Sequence, residues 1–400
     1  MKLTIEDIGH GGVGVARYEG QVIFVRGALP GEIVEAVFTS RKSKYSTALV
    51  TGVIEPSEFR VDHPWPVGAA GYTGAADFGH VTTQGQLALK TQVIRNTVRR
   101  IGGEELFRTI EHLGVEVRAI DSGKGWGTRT RYEVTKLESG VGMFREKSHE
   151  LVAIEEMPLA LPDLAELKLW ASAWDSYIKP GTRLKAVAPA SGDNVVVAGD
   201  VVWSAPGLKA TEHIWERAST EDDIYDYRMN AKGFWQVHFR APSTLLTSVL
   251  AGAQVLSGEY VAELFSGAGL FTLPLAQKVG KNGRVDAFEG SQSAVADARY
   301  NLRHTPWAHA NVAKIDHGIV REIEGADVVI ADPPRAGLGR GLAENLGRLS
   351  ARKIVLVSCD PAAMARDVAQ LVASGRKVES MDAIDIFPNT HHVEIVTALS

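Results

Sequence analysis

From about residue 222 to the end of this 400-residue chain, short apolar segments alternate with helical stretches. The apolar segments are YVAELF, RVDAFEG, DVVIADPP and KIVLVSCD. This alternation is typical of a mostly parallel, doubly wound sheet with helices on both faces. In such sheets, ligands bind beyond the carboxyl ends of the strands. The sequence therefore predicts an α/β domain over residues 222–400, with its candidate site at that edge.

Two further strands, VESMDAID and VEIVTALS, close the chain, and only the short segment IFPNTHH joins them. This link is too short for a crossover helix, so the two strands are predicted to pair antiparallel. The last strand would then begin at the edge where the parallel strands end.

The first 58 residues contain five short segments rich in β-branched residues and separated by glycines. This pattern predicts a small closed barrel of the OB type, a fold that often binds oligonucleotides on one face. Residues 59–221 are predicted to form a central, mainly β domain. One helix is expected there over residues 84–101, where apolar residues recur at helical spacing.

Composition is ordinary for a soluble globular protein, with 45% hydrophobic and 23% charged residues. No apolar run is long enough for a membrane span, and the first residues do not resemble an export signal. One cysteine cannot form an intrachain disulfide or a cysteine-ligated metal cluster, so we expect a cytoplasmic protein. Because the net charge is −5, nucleic-acid binding would depend on local basic clusters. Three such clusters are Arg41, Lys42 and Lys44; Arg95, Arg99 and Arg100; and Lys124, Arg129 and Arg131.

A glycine turn, ELFSGAGLF, follows the first strand of the α/β domain. Gly267 and Gly269 allow a tight turn and a close ligand approach to the backbone. Glu289 follows Gly267 by 22 residues and ends the next strand, a spacing typical of an acid that binds ribose hydroxyls. Thr272 replaces the third glycine of a dinucleotide fingerprint. This replacement disfavours NAD and favours S-adenosylmethionine, which carries a ribose but no pyrophosphate.

Three chemically active side chains are predicted at the same edge. Asp332 precedes two prolines, which cannot continue a central strand, so the chain leaves the sheet there. Cys359 ends the fourth parallel strand, where a thiolate would be a strong nucleophile. Glu394 opens the last strand and could act as a general base. His391 and His392 are not predicted to be a metal pair, because neighbouring strand residues point to opposite faces.

The segment Phe234-Trp235-Gln236-Val237-His238 precedes the first helix of this domain. Aromatic side chains can stack on a flipped base, and the Gln236 amide can read a base edge by hydrogen bonds. Phe234 and Gln236 are therefore candidate substrate contacts.

Together, GFWQVH, ELFSGAGLFTLPLA, ADPPRAGL, VSCDPAAMARD and HHVEIV resemble the RNA (uracil-5-)-methyltransferase family in order and spacing across residues 230–400. The N-terminal segment is similar to the TRAM barrel often attached to these enzymes. The resemblance implies a monomeric, S-adenosylmethionine-dependent Rossmann-like enzyme acting on rRNA or tRNA, with Cys359 as nucleophile and Glu394 as base. Including the two glycines of the turn, the predicted cofactor contacts are Gln236, Phe265, Gly267, Gly269, Glu289, Asp316 and Asp332. The predicted substrate contacts are Phe234, Gln236 and Arg335.

One departure from the family concerns iron. Ribosomal-RNA members often ligate a [4Fe-4S] cluster through cysteines upstream of the helix that corresponds to residues 84–101. The corresponding stretch here is Thr73-Gly74-Ala75-Ala76, so no cluster is expected and Gly/Ala packing must replace it. The family fold also implies that helix 84–101 packs on the catalytic domain.

Three other functions remain open from the sequence. A methyltransferase acting on exocyclic amines would use Asp332 and not Cys359, although many of these carry an aromatic residue where this chain has Arg335. An RNA cytosine-5 methyltransferase usually has a cysteine after the proline of that motif. A non-catalytic RNA-binding or RNA-folding protein could keep the fold. For the barrel, we expect removal of residues 1–58 to weaken RNA binding more than cofactor binding.

Overall fold

The structure is a computed structural model that describes residues 1–123 and 125–400. Lys124, a member of one basic cluster, lies outside the described residues. Within those two ranges, four β-sheets and seven α-helices are formed. The same ranges contain no helix with the length and apolar character that a bilayer crossing requires.

The N-terminal strands form one curved, six-stranded sheet in the order β1-β5-β6-β4-β3-β2. The Ile5 N–H donates to Glu32 O (2.9 Å) and the next N–H, of Glu6, donates to Val15 O (2.8 Å). The chain therefore changes its pairing partner from β5 to β3 at this corner, which splits the first predicted strand in two. The OB-like barrel consequently has six strands instead of the predicted five: β1 (Lys2–Thr4), β2 (Asp7–Gly9), β3 (Val13–Tyr18), β4 (Gln21–Arg26), β5 (Ile33–Arg41) and β6 (Tyr45–Glu55).

A helical segment follows the barrel. It begins at Thr82, whose hydroxyl accepts a hydrogen bond from Gly85 N (3.2 Å). The predicted helix over 84–101 corresponds to α1 and the π-helical turn after it. Ile8 of the barrel lies in one apolar cluster with Leu89 of α1 and with Phe78. The elements are α1 (Thr83–Thr97), the π-helical turn (Val98–Gly102), α2 (Glu104–His112) and β7 (Val117–Ala119).

The central sheet has seven antiparallel strands in the order β10-β9-β8-β11-β12-β13-β14, and a separate two-stranded hairpin follows it. Its core surrounds the buried Trp174 and includes Ala76 from the Gly/Ala stretch. The strands are β8 (Arg131–Lys136), β9 (Val141–Phe144), β10 (Leu151–Ile154), β11 (Arg183–Val187), β12 (Val195–Ala198), β13 (Val201–Ala205) and β14 (Leu208–Lys209), and the hairpin is β15 (His213–Ser219) with β16 (Ile224–Asn230).

The last sheet has eight strands in the order β19-β18-β17-β20-β21-β23-β22-β7, and the five from β19 to β21 are parallel. Its edge strand β7 comes from residues 117–119, far upstream. The remaining elements are α3 (Ala241–Ala253), β17 (Tyr260–Leu264), α4 (Thr272–Val279), β18 (Arg284–Glu289), α5 (Gln292–Asn301), β19 (Ala308–Val312), β20 (Val328–Ala331), α6 (Arg340–Gly347), β21 (Lys353–Ser358), α7 (Pro361–Ala373), β22 (Val378–Asp385) and β23 (Glu394–Leu399).

Buried strands dominate the middle of this sheet: every residue of β20 and β21 is buried. Near-continuous apolar strands are expected where helices cover both faces of a parallel sheet. Strand β23 runs antiparallel to both neighbours, as the short link predicts. Ser358 pairs with Ile395, so Glu394 lies beside the carboxyl end of β21. The carboxyl ends of the parallel strands and the start of β23 therefore share one edge, the catalytic rim.

Candidate active site

The glycine turn after β17 has an unusual backbone. Phe265, Gly267 and Gly269 all have positive φ angles of 63°, 56° and 91°. A bulky residue such as Phe265 in this region costs about 1–3 kcal/mol, so its surroundings must hold it there. An alanine Cβ at Gly267 would meet no atom within 4 Å, so open space lies above the turn.

Glu289 is joined directly to this turn. Its Oε2 accepts a hydrogen bond from Gly267 N (3.1 Å), and its Oε1 accepts one from Ser291 N (2.8 Å). These two backbone donors fix the carboxylate at the end of β18 beside the open space. The geometry suits an acid that accepts hydrogen bonds from ribose hydroxyls.

A second acid lies beneath the turn. Burial raises the pKa of Glu263 to about 8, although the Thr272 hydroxyl donates a hydrogen bond to it (2.6 Å). The charges of Asp332 and Glu289 raise this pKa further. Sequence reasoning assigned Glu263 no separate role, and its signal was an acidic residue inside an otherwise apolar strand. Glu263, Asp332 and Glu289 therefore influence one another electrostatically, and a ligand with positive charge would offset this repulsion.

Asp332 follows β20 directly, and its N–H donates to Leu264 O of β17 (3.2 Å). Asp332 keeps a little solvent-accessible surface, but protein surrounds its carboxyl group. This burial raises its pKa to about 7. Two residues of α7 fix the loop that follows Asp332. Asp367 Oδ2 accepts a hydrogen bond from Leu338 N (2.6 Å), and Arg366 donates to Ala336 O (2.6 Å).

Cys359 follows β21 directly and is half-buried. It lines a pocket of about 120 Å³ with Arg335, His392 and His10. Burial raises the pKa of the Cys359 thiol to about 11, and the charges of Glu394 and Asp332 raise it as well, while Arg335 opposes them. The thiol is therefore accessible, protonated at neutral pH, and close to both acids.

Glu394 is also deeply buried, with 5% of its surface exposed. Burial raises its pKa well above the usual range, and the charge of Asp332 adds to this effect. Arg335 acts in the opposite direction. Cys359, Asp332 and Glu394 therefore lie near enough to influence one another electrostatically.

Arg335 stands exposed at the mouth of the pocket, and its Nη2 donates to His392 Nε2 (3.1 Å). Burial lowers the pKa of His392 to about 2, so this imidazole is neutral and can accept that bond. The His10 imidazole, from the turn between β2 and β3, lies 3.3 Å from Asp360 Oδ2. Sequence reasoning missed His10, because no local pattern connects residues 350 positions apart.

Gln236 and Phe234 differ in their surroundings. Gln236 is buried, and its neighbour Trp235 packs on Tyr227 at 5.1 Å between ring centroids. Tyr227 in turn donates to Leu270 O of the glycine turn (2.8 Å). Phe234 is 75% exposed, and no ring contact or hydrogen bond within residues 1–123 and 125–400 joins it to Cys359. Its substrate role stays a prediction.

Asp316 lies beyond β19, and its carboxylate serves its own loop. It accepts a hydrogen bond from Gly318 N (2.9 Å) and pairs with Lys314 (3.0 Å), and both contacts lower its pKa. No hydrogen bond or ion pair in the described part of the chain links it to Glu289. Of the predicted residues, the structure brings Gly267, Gly269, Glu289, Asp332, Cys359 and Glu394 to one rim, with Arg335 at its mouth.

The residues at the rim fit S-adenosylmethionine. Glu289, held by two backbone donors, lies beside the open space at Gly267, where it could accept hydrogen bonds from ribose hydroxyls, and the positive charge of a sulfonium would offset the repulsion between Glu263 and Asp332. Across residues 1–123 and 125–400, no group of three or more His, Cys, Asp or Glu side chains is arranged to hold a metal ion.

Comparisons with known proteins agree with this geometry. A family model described as tRNA (uracil-5-)-methyltransferase matches residues 315–400, and a TRAM-domain model matches residues 1–51. A protein of Bifidobacterium longum named as an uncharacterized RNA methyltransferase is 34% identical, over 99% of this chain and 95% of its own length. One of the same description from Streptomyces avermitilis is also 34% identical, with 100% and 97% coverage.

Among solved structures, the chain is similar to the Pyrococcus abyssi tRNA (uracil-54, C5)-methyltransferase in complex with S-adenosyl-L-homocysteine. The TM-score is 0.71, the sequence identity is 25%, and the match covers 100% of both chains. The similarity therefore extends through the barrel, the central sheet and the rim.

Proposed function

Because this chain belongs to the RNA (uracil-5-)-methyltransferase family and uses S-adenosylmethionine, we propose that it methylates carbon 5 of one uridine in tRNA or rRNA through a covalent Cys359 adduct. The observation that carries the proposal is the meeting of Cys359, Glu394 and Asp332 at one rim, where each carboxyl group raises the pKa of the thiol.

The proposed chemistry needs a thiol and a base at this rim. Carbon 5 of uracil is a weak nucleophile. Once the Cys359 thiol has lost its proton to solvent, addition of the thiolate to carbon 6 converts the ring to an enolate. Carbon 5 of this enolate then attacks the sulfonium methyl group of S-adenosylmethionine, the bond from that methyl group to sulfur breaks, and S-adenosylhomocysteine leaves. Once carbon 5 carries that methyl group, Glu394 removes the carbon-5 proton, the bond from carbon 6 to sulfur breaks, and the 5,6 double bond re-forms. The thiolate leaves and is regenerated.

Access to the thiol requires an unstacked uridine. The pocket at Cys359 is lined by His10 and Gly11 of the barrel together with Arg335 and His392. We propose that the flipped base enters this pocket, with Arg335 at the mouth close to the RNA backbone.

Two substitutions test the proposal. Cys359→Ala should abolish methyl transfer from tritiated S-adenosylmethionine but leave S-adenosylhomocysteine binding unchanged in calorimetry. Glu394→Gln should retain the first steps and accumulate a protein–RNA adduct that survives denaturing electrophoresis. Glu324→Gln, an exposed acid outside the rim, is the control. A fully active Cys359→Ala protein would reject the nucleophile and favour methylation of an exocyclic amine through Asp332.

The RNA target needs a separate measurement. Mass-spectrometric mapping of 5-methyluridine in tRNA and rRNA from a deletion strain should show one lost mark, which identifies the substrate. An unchanged set of methyl marks would support a non-catalytic RNA-binding protein instead.

A further inference from the structure

We propose that Gln86, on helix α1, is a positioning residue for the general base, because it fixes the loop 386–393 that leads into Glu394. The inference rests on the proposed role of Glu394. It adds a part of the chain that lies 303 residues from Asn389 of the loop in sequence and touches neither uracil nor cofactor in the proposed mechanism.

Glu394 depends on its backbone for its direction. Within the described ranges, no hydrogen bond from a protein donor holds its carboxyl group. Strand pairing fixes the chain from Glu394 onward, through Glu394 opposite Ile384 and Ile395 opposite Ser358. The residues immediately before Glu394 form the loop 386–393, which belongs to no strand. The direction of the Glu394 carboxyl group therefore depends on how this loop is held.

Gln86 holds the tip of the loop with both ends of its amide. Its Nε2 donates to Asn389 Oδ1 (3.0 Å), and its Oε1 accepts from Asn389 N (2.8 Å). The same Nε2 lies 2.9 Å from Val81 O. Both Gln86 and Asn389 are 2% exposed, so water does not compete for these bonds. Asn389 has a φ of 63°, a conformation that asparagine tolerates better than most residues.

The segment before α1 holds the same loop on its Glu394 side. Phe78 N donates to Asn389 O (3.0 Å). Asp77 accepts from His391 N (3.1 Å) and is bonded to His391 Nδ1 (2.5 Å). These contacts end three residues before Glu394, so they restrict the backbone immediately upstream of the base.

The beginning of the loop is held by a second residue of α1. Lys90 Nζ donates to Asp385 Oδ1 (2.6 Å) and to Phe387 O (3.2 Å), and the Lys90 and Asp385 side chains are both buried. Helix α1 and the segment before it therefore contact the start, tip and end of the loop. We call these contacts, made by Asp77, Phe78, Gln86 and Lys90, the loop brace.

Within the loop brace, Gln86 is the most informative position to change. Asp77 and Lys90 carry charges that influence neighbouring titratable groups, including His80 and His392. Gln86 is uncharged, and methionine has nearly the same size and helix propensity. Gln86→Met therefore removes hydrogen bonds to the loop without changing the charge around the rim.

A matched control lies on the same helix. Gln92 Nε2 donates to Asp7 of the barrel (2.5 Å), and within the described residues Gln92 makes no hydrogen bond to the loop 386–393. Gln92→Met has the same chemistry as Gln86→Met but leaves the loop brace intact. Any effect specific to the base should appear in Gln86→Met alone.

The experiment follows methyl transfer and the covalent adduct with unmodified substrate RNA from a deletion strain. A misplaced Glu394 slows only the step that releases RNA. We therefore expect Gln86→Met to accumulate adduct on denaturing gels, with kcat reduced on the order of tenfold and the KM for S-adenosylmethionine within about twofold of wild type. A purely structural role would lower the active fraction without raising the adduct fraction.

Three outcomes decide the proposal. Adduct in both Glu394→Gln and Gln86→Met, but not in Gln92→Met, supports it. Adduct in Glu394→Gln alone overturns the positioning role and leaves the proposed function standing, whereas its absence from Glu394→Gln removes the base and this inference with it. If Gln86→Met does not fold, Asp77→Ala, at the partly accessible end of the loop brace, should show the same adduct.

Discussion

The only cysteine of the chain makes the electrostatics of the catalytic rim directly measurable, because every thiol alkylation event reports Cys359. Burial raises the pKa of this thiol from 9.0 to about 11, with the charge of Glu394 as the next cause and that of Asp332 after it. Glu394→Gln removes one negative charge and keeps the side-chain size. We therefore expect it to lower the pKa of Cys359.

The expected fall in the Cys359 pKa is limited, because Glu394 is only the second-largest cause of the upward shift. The full upward shift is about two pH units. Because burial is the largest cause and persists in the variant, loss of the Glu394 charge should recover about half to one unit. This recovery corresponds to roughly three to ten times more thiolate at any pH well below the midpoint. Arg335→Gln should shift the pKa in the opposite direction, because Arg335 lowers it.

Iodoacetamide labelling between pH 7 and 11.5, followed by intact-protein mass spectrometry, gives the midpoint without RNA or cofactor. Glu324→Gln supplies the matched control at an exposed position. A Cys359 pKa in Glu394→Gln that equals or exceeds the wild-type value would refute the reasoning, because the carboxyl group would then not act on the thiol. The labelling rate of the wild type should rise about tenfold per pH unit below the midpoint, since only the thiolate reacts.

Two further substitutions test the cofactor and RNA surfaces. Gly267→Ala forces a side chain into a backbone with φ of 56° and points its Cβ into the proposed nucleoside space, so calorimetry should show S-adenosylhomocysteine binding weakened by roughly tenfold. Binding equal to wild type would place the nucleoside elsewhere. Arg41→Ala, which removes an exposed guanidinium lying 3.9 Å over the Phe38 ring, should weaken RNA binding and reduce its salt dependence by about one ion, with cofactor binding unchanged. RNA affinity that is independent of Arg41 would exclude this edge of the barrel from the interface.

Local sequence patterns predicted most of the fold. The alternation of apolar and helical segments predicted the parallel strands, and the prolines after Asp332 marked where β20 ends. The short link before β23 predicted its antiparallel direction, which brings Glu394 to the same edge as Cys359. Each of these inferences needs only neighbouring residues, because strand periodicity and proline geometry act over a few positions.

Contacts between distant segments were not visible in the sequence. Strand β7 joins the catalytic sheet from residues 117–119, although three residues carry no periodicity that could indicate a partner. Gln86 and Asn389 show the same difficulty, because a glutamine on a helix usually faces solvent and only the folded chain reveals its partner. Phe265 has a φ of 63°, which its bulky side chain gives no reason to expect. These features depend on tertiary packing that overrides local preference.

The crowding of acids at the rim has a consequence for the order of events. Asp332 raises the pKa values of Glu263, Glu394 and Cys359 together, so an ionised Asp332 disfavours ionisation of each of them. A sulfonium bound beside Asp332, as we propose, would offset this repulsion and lower all of these pKa values. By linkage, the ionised rim would also bind the cationic donor more tightly than the protonated rim does. The thiolate would therefore form preferentially when the methyl donor is already present, which protects the empty enzyme from forming unproductive adducts with RNA.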